Sequence, residues 1–176
     1  MFIAVQELEQ RGLRFSQDFE PGMLDFRTRE FRQVACLHTE GEATLLGNEI
    51  HVVGRLATRL ELACARCLEP VERNLSTEFD LLYRPISRIG GEAEEAVGEK
   101  DLDVGFYTGS GLFLADILAE QVHLALPMKV VCREECQGLC PGCGANRNRE
   151  RCRCGPAAVD PRLAPLAEWA AKHKKP

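Results

Sequence analysis

The sequence predicts an α+β fold, in which an antiparallel β-sheet or partly open barrel packs against one helix and is followed by a cysteine-rich C-terminal segment. Three observations predict it: apolar and polar residues alternate over 43–83, a helical apolar period starts at Leu112, and six cysteines crowd into 132–154. A period of two is typical of a half-buried strand, whereas a period near 3.6 is typical of an amphipathic helix. The 176 residues are enough for one domain with a small appendage.

The strands are predicted in most detail between residues 43 and 83. Gly47 and Asn48 tolerate positive φ and form a typical two-residue hairpin turn. Two alternating stretches follow, residues 55–62 and 71–83, and each has apolar side chains on one face and charged or polar ones on the other. Three or more antiparallel strands with one solvated face account for this pattern.

The second part of the body is predicted to be a loop, a short strand and a helix. Residues 84–100 have no apolar period and read as a solvated loop, while residues 101–107 alternate weakly. A helix near 112–126, ended by Pro127, would place its apolar stripe on the sheet. That stripe consists of Leu114, Ile117, Leu118, Val122 and Ala125.

The chain is therefore expected to divide into an antiparallel β body with its helix, residues 1–128, and a cysteine-rich basic tail, residues 129–176. The tail should end in a short helix that starts at Asp160 and Pro161, which are good residues for a helix N-terminus.

The composition disfavours a wholly disordered protein and a membrane-spanning one. Hydrophobic residues make up 45% and charged residues 28%, which is ordinary for a globular chain and excludes disorder over the whole length. The longest apolar stretch, residues 112–128, is interrupted by Asp116, Glu120 and His123 and is shorter than the roughly 20 residues that cross a bilayer. The N-terminus shows no secretory signal. We expect a cytoplasmic protein with no membrane partner and no small-molecule substrate.

Nine cysteines indicate metal binding, because the reducing cytoplasm does not favour disulfides. Cys140 and Cys143 have the C-x-x-C spacing of a zinc knuckle, on a turn that contains Pro and Gly. Structural zinc takes four ligands, so the turn needs a second pair. We expect one structural zinc per chain, held in a zinc-knuckle-like segment by Cys140, Cys143, Cys152 and Cys154, with Cys132 and Cys136 as alternates.

Cys64 and Cys67 form a separate pair at a predicted hairpin, and three interpretations of it stay open. The pair has the spacing of a redox dithiol, although the surrounding antiparallel strands do not provide the helix start that such sites use. It could instead contribute to a zinc site, since two plus six cysteines make two sets of four. The third interpretation is two small half-buried residues at a strand end. Cys36 is assigned no role.

The charge of the chain is unevenly distributed. The net charge is -5, but residues 129–176 carry ten Lys/Arg against five Asp/Glu, which leaves -10 on residues 1–128. Arginines recur at every second position, and in an extended segment they would share one face and could contact RNA phosphates. These RNA-binding candidates are Arg147, Arg149, Arg151 and Arg153. Charge balance for the metal site, or a simply solvated face, explains the same residues.

Taken in order, several motifs resemble those of the YceD family of large ribosomal RNA subunit accumulation proteins. They are CARCL between strands, ALP at the helix end, VCREECQGLCPGCGANRN, CRC and DPRLAPL, and they lie within residues 40–166. The resemblance implies a bacterial, cytoplasmic, non-enzymatic factor for production or processing of large-subunit (23S) ribosomal RNA. It also implies that Cys64, Arg66 and Cys67 belong to the family's shared core and that the tail knuckle is a variable reinforcement.

Our leading hypothesis is a factor in ribosome biogenesis that binds ribosomal RNA or a pre-ribosomal particle, or an assembly protein, and supports rRNA processing without catalysis. A protein-binding zinc adaptor is the first alternative. A thiol-disulfide oxidoreductase that uses Cys64 and Cys67 is the second.

Overall fold

The computed structural model describes residues 1–86 and 104–155, together with 161–163, 165–166, 169 and 172–173. Eight strands and two helices occupy the described part of the main body, and a 3-10 turn lies in the tail. In chain order they are β1 (Phe2–Ala4), α1 (Val5–Leu8), β2 (Leu13–Phe19), β3 (Phe31–Gln33), β4 (Leu37–Leu46), β5 (Glu49–Ala63), β6 (Pro70–Pro85), β7 (Val104–Tyr107), β8 (Gly111–Phe113), α2 (Leu114–Leu124) and the 3-10 turn (Pro161–Leu163).

Six strands form the main sheet. Its order is β2-β4-β5-β6-β7, and β3 pairs with the far half of β5. The hairpin of β5 and β6 is its centre, because the two strands stay in register from Ile50 and Tyr83 to Ala63 and Pro70. Among the described residues the order does not close on itself, so the sheet is open. The remaining strands, β1 and β8, form a small antiparallel sheet that leads into α2.

The core lies between the main sheet and α2. Leu114, Ile117, Leu118 and Val122 of α2 are buried against apolar side chains of the strands. Each fully buried aliphatic side chain of this kind stabilises the fold by about 2 kcal/mol. Among the described residues, no helix is long and apolar enough to cross a membrane.

The predicted α+β class is confirmed, and so are several of its elements. The hairpin turn at Gly47 and Asn48 joins β4 to β5, and Gly47 has a φ of 66°. Burial alternates along β5 and β6 as expected. The helix is α2, whose C-cap, Ala125, lies two residues before Pro127.

Three details differ from the expectation. The predicted loop over 84–100 starts later, because β6 continues to Pro85; residues 87–103 lie outside the described residues. The weakly alternating segment forms β7, but it runs parallel to β6 in a sheet that was expected to be antiparallel. A parallel pair needs a long connection, and residues 86–103 supply one. Asp160, the expected start of the tail helix, is also outside the described residues.

The sequence did not predict α1, β1, β2, β3, the first half of β4 or β8; Leu112 and Phe113, expected at the start of the helix, belong to β8 because they pair with β1. The reason is visible in β2, an edge strand in which Gln17 interrupts the apolar face formed by Leu13, Phe15 and Phe19, so the alternation is too short to be recognised. β1 and β3 have three residues each, which is too short for a periodic signal.

Candidate metal centres

The turn between β5 and β6 carries Cys64 and Cys67, as the sequence predicted. The backbone N–H of Cys64 donates to the carbonyl of Glu69 at 2.8 Å, and that of Leu68 donates to the carbonyl of Cys64 at 2.9 Å. Leu68 adopts a φ of 61°, which lets the chain reverse tightly. Both cysteines are almost completely buried, although they lie at the end of a hairpin. What buries them is the tail.

The start of the tail lies against this turn and hydrogen-bonds to it. The N–H of Ala65 donates to the carbonyl of Val130 at 2.8 Å, and the N–H of Leu139 donates to the carbonyl of Arg66 at 3.0 Å. The Arg66 guanidinium donates to the carbonyls of Glu134 and Cys136, both at 2.9 Å. These bonds bring residues 130–139 against the turn and fix the positions of the cysteines between them.

The first four-sulfur group, the junction cluster, consists of Cys64, Cys67, Cys132 and Cys136. Its sulfurs all lie within 4.8 Å of one another. The Sγ atoms of Cys64 and Cys136 are 3.9 Å apart, and those of Cys67 and Cys132 are 3.7 Å apart. Tetrahedral zinc with Zn–S bonds of about 2.3 Å requires sulfurs about 3.8 Å apart. The junction cluster therefore has the ligand type, number and spacing of a structural zinc site.

The second group, the tail cluster, consists of Cys140, Cys143, Cys152 and Cys154. Its sulfurs also lie within 4.8 Å of one another. The Pro-Gly turn is closed by the N–H of Gly144, which donates to the carbonyl of Cys140, and by the N–H of Cys140, which donates to the carbonyl of Ala145; both bonds are 2.8 Å. The tail cluster can hold a metal ion as well. These are the four residues that the sequence analysis chose.

The sequence analysis expected one metal site, and the structure contains two such clusters among the described residues. Cys132 and Cys136, the alternates for the tail site, are placed with Cys64 and Cys67 instead. The interpretation of Cys64 and Cys67 as part of a second set of four agrees with this geometry. Cys36 lies in neither cluster.

In the junction cluster, hydrogen bonds make one thiol easy to ionise. Burial alone would raise the pKa of Cys64, but the backbone N–H groups of Cys67, Arg66 and Cys132 point to its sulfur and lower its pKa to about 6. Burial and the neighbouring thiols raise the pKa of Cys132 to about 12. The first thiolate forms readily, and the next forms against its charge. A divalent cation would remove this repulsion.

In the tail cluster, too, the pKa of one thiol is lowered and that of another is raised. The backbone N–H groups of Cys143 and Gly142 are the main reason that the pKa of Cys140 falls to about 6. Hydrogen bonds from the neighbouring thiols raise the pKa of Cys154 to about 12. Four sulfurs held this closely, with backbone donors directed at one of them, are the arrangement of a preformed cation site.

The two clusters differ in their exposure. In the junction cluster Cys64, Cys67 and Cys136 are buried, whereas Cys143 and Cys154 of the tail cluster are exposed. The exposed fraction of Cys64 is 0% and that of Cys67 is 3%. A catalytic dithiol needs a sulfur that its substrate can reach, so this burial disfavours thiol-disulfide exchange at Cys64 and Cys67.

The four arginines of the predicted comb are all exposed, but they do not form one extended row. Residues 147–149 lie in a turn, in which the carbonyl of Asn146 accepts hydrogen bonds from the N–H groups of Arg149 and Glu150 at 2.9 Å. Arg149 also forms an ion pair with Glu69, with an N–O distance of 2.6 Å. For Arg147, Arg151 and Arg153 the structure gives no ion pair among the described residues.

Asn148, which lies between the two cysteine pairs of the tail cluster in the sequence, hydrogen-bonds to the junction cluster and was not predicted. Its amide nitrogen donates to the Sγ of Cys136 at 3.3 Å, and its Oδ1 accepts the N–H of Gln137 at 2.8 Å. Its own N–H donates to Oδ1 of Asn146. The signal was present in the sequence as the polar Asn-Arg-Asn between the cysteine pairs, because asparagine side chains commonly bond to nearby backbone.

Comparison with known proteins identifies the family. The family model described as large ribosomal RNA subunit accumulation protein YceD matches residues 52–169, which is more than half of the chain and includes both clusters. The chain belongs to the YceD family.

Similar proteins come from plants and from Mycobacterium. A chloroplastic large ribosomal RNA subunit accumulation protein YCED homolog 1 of Arabidopsis thaliana is 25% identical, over 67% of this chain and 43% of its own length. The Zea mays protein of the same name is 24% identical, over 71% of this chain and 50% of its own. An uncharacterized protein of Mycobacterium tuberculosis is 30% identical, over 77% of this chain and 63% of its own length. The chain thus spans less than two thirds of these relatives. No solved structure matches it.

Proposed function

We propose that this protein supports the accumulation of large-subunit ribosomal RNA by binding the RNA, or a pre-ribosomal particle that contains it. The family and the names of the plant relatives support the process. The observation that carries the mechanism is the pair of four-cysteine clusters, of which one joins the basic tail to the acidic body and the other cross-links the tail. In this proposal the protein acts in the cytoplasm by binding, without a chemical step.

We propose that each cluster holds one structural zinc ion, so that the chain binds two. Cys64, Cys67, Cys132 and Cys136 would hold one, and Cys140, Cys143, Cys152 and Cys154 the other. Zinc would supply only cross-linking, since four sulfurs leave no open position for a substrate. The cross-links compensate for a tail that has few large apolar side chains to offset its conformational entropy.

The RNA-binding surface in this proposal is the exposed arginine set of the tail. Arg147, Arg151 and Arg153 have exposed guanidinium groups, while Arg149 is held by Glu69. An arginine fixed on a metal-anchored loop loses less conformational freedom on binding than one on a flexible chain. The tail contains few aromatic residues, so contact with phosphates should outweigh base stacking.

Replacement of Arg147, Arg149, Arg151 and Arg153 by alanine should abolish most RNA binding. Fluorescence anisotropy with labelled fragments of large-subunit ribosomal RNA would measure Kd between 50 and 200 mM salt. If three arginines contact single-stranded phosphates, log Kd should depend on log salt with a slope of magnitude about 2. The variant should lose most of this salt dependence.

The matched control removes arginines from the body. Arg11, Arg14, Arg27 and Arg29 are exposed and far from the tail in sequence, so their replacement by alanine removes the same four charges without altering the tail. A quadruple tail variant that keeps its zinc and binds RNA as tightly as the parent would refute the RNA interface. In cells, the same variant should fail to restore 23S rRNA levels after depletion of the wild-type protein.

A further inference from the structure

A wide groove lies on the solvent side of the main sheet, away from both cysteine clusters. It has a volume of about 1140 Å³ and crosses β2, β4, β5 and β6. Along these strands, most lining side chains alternate with the buried core residues, which places the groove on the face opposite α2. Val53 provides an apolar centre and is 42% exposed.

Beneath this groove, two glycines face each other across β4 and β5. Gly41 of β4 is opposite Gly54 of β5, and these are flanked in the same row by Phe15 and Phe79. A Cβ on Gly54 would lie 2.7 Å from the Phe79 ring and 2.8 Å from the carbonyl oxygen of Glu40. Only glycine permits so close an approach, and glycines in strand interiors often mark sharp bends.

The groove carries more acidic than basic charge. Four carboxylates line it, on Glu40, Glu42, Glu78 and Asp80, against two guanidinium groups, on Arg14 and Arg55. Both guanidinium groups are already used, Arg14 by Glu42 at 3.2 Å and Arg55 by Glu40 at 2.7 Å.

The other two carboxylates, on Glu78 and Asp80, have no ion pair with an arginine or lysine among the described residues. Asp80 is 2.6 Å from the Nε2 of His51, and its side chain is 75% exposed. Glu78 has no ion pair within the described residues, which include all of β4, β5 and β6. Ionised carboxylates lining a concave surface attract positive groups and repel phosphates.

We propose that this groove binds an extended, lysine- and arginine-rich segment of another protein. An extended chain fits a groove that crosses four strands, and the apolar centre at Val53 would contact the stems of long basic side chains. The charge excludes RNA as the occupant and separates this surface from the basic tail. The proposal does not depend on the metal ions or on RNA binding by the tail.

Binding of labelled deca-lysine tests the proposal directly. The double variant Glu78→Gln and Asp80→Asn removes two charges from the groove and should weaken binding at least about fivefold at 100 mM salt, as two lost charge contacts imply. Deca-glutamate should not bind at this surface. A deca-lysine that carries benzophenone should crosslink to β4, β5 and β6.

The control double variant is Glu72→Gln and Glu30→Gln, which removes the same charge. Glu72 lies on the same face of β6 but six residues away, about 20 Å from Glu78, and does not line the groove. Equal weakening by both double variants would mean unspecific attraction and overturn the proposal, as would crosslinks confined to other elements. Loss of self-association in the groove variant, with unchanged deca-lysine binding, would assign the groove to a second copy and overturn it too.

Discussion

Backbone hydrogen bonds to sulfur lower the pKa of two cysteine thiols in this protein. Cys64 and Cys140 each receive backbone N–H groups at their sulfur, and the pKa of each thiol falls to about 6. The tight turns determine which N–H groups point to each sulfur. The C-x-x-C spacing in the sequence therefore leads, in the fold, to a lowered pKa of one thiol in each turn. The cysteine spacing was readable in advance, whereas the donor positions required the turn geometry.

His38 offers a simple test of this electrostatic picture. A hydrogen bond to Asp18, at 2.7 Å, is the main cause that raises the pKa of His38 above 6.5. A raised folded-state pKa stabilises the fold below the unfolded value, and this contribution is lost as pH rises through the folded pKa. In Asp18→Asn the pKa of His38 should fall, as measured by NMR titration of the imidazole. The same pKa in both proteins would contradict the assignment, and Glu30→Gln serves as the control.

At the scale of elements, the long strands were predictable and the short ones were not. β5 and β6 have 15 and 16 residues, so their alternation persists long enough to be recognised. β7 has four residues, and its parallel pairing depends on the path of the chain after Pro85. The close packing at Gly41 and Gly54 was not predicted, because a glycine in a strand has no periodic signal and its effect depends on its cross-strand partners.

Replacement of Gly54 by alanine tests how closely Gly54 packs against Phe79 and β4. The new Cβ would meet the Phe79 ring and the backbone of β4, and we expect the free energy of unfolding to fall by about 2–3 kcal/mol. Urea denaturation followed by circular dichroism measures this. Gly155→Ala is the control, because no atom lies within 4 Å of its added Cβ. Equal stability of the two variants would show that the strands are not pressed together at Gly54.

At the scale of the whole molecule, the junction cluster joins two parts of opposite charge. Residues 1–128 carry -10 and residues 129–176 carry +5. The sequence analysis found the tail cluster because its four cysteines are close in the chain. It left the junction cluster open because Cys64 and Cys132 are 68 residues apart. The two pairs meet because Ala65 and Arg66 hydrogen-bond to the tail, which could not be predicted from the cysteine spacing.

The central claim is that two sulfur-bound zinc ions hold the tail, one by joining it to the hairpin and the other by cross-linking the tail itself. Native mass spectrometry with metal analysis tests this claim most directly. The wild-type protein and Cys36→Ser should carry two zinc ions per chain, because Cys36 lies outside both clusters. Cys67→Ser and Cys143→Ser should each lose one ion, from the junction and the tail cluster respectively. A freshly purified wild-type protein that carries no metal, or variants that keep the wild-type content, would contradict the account.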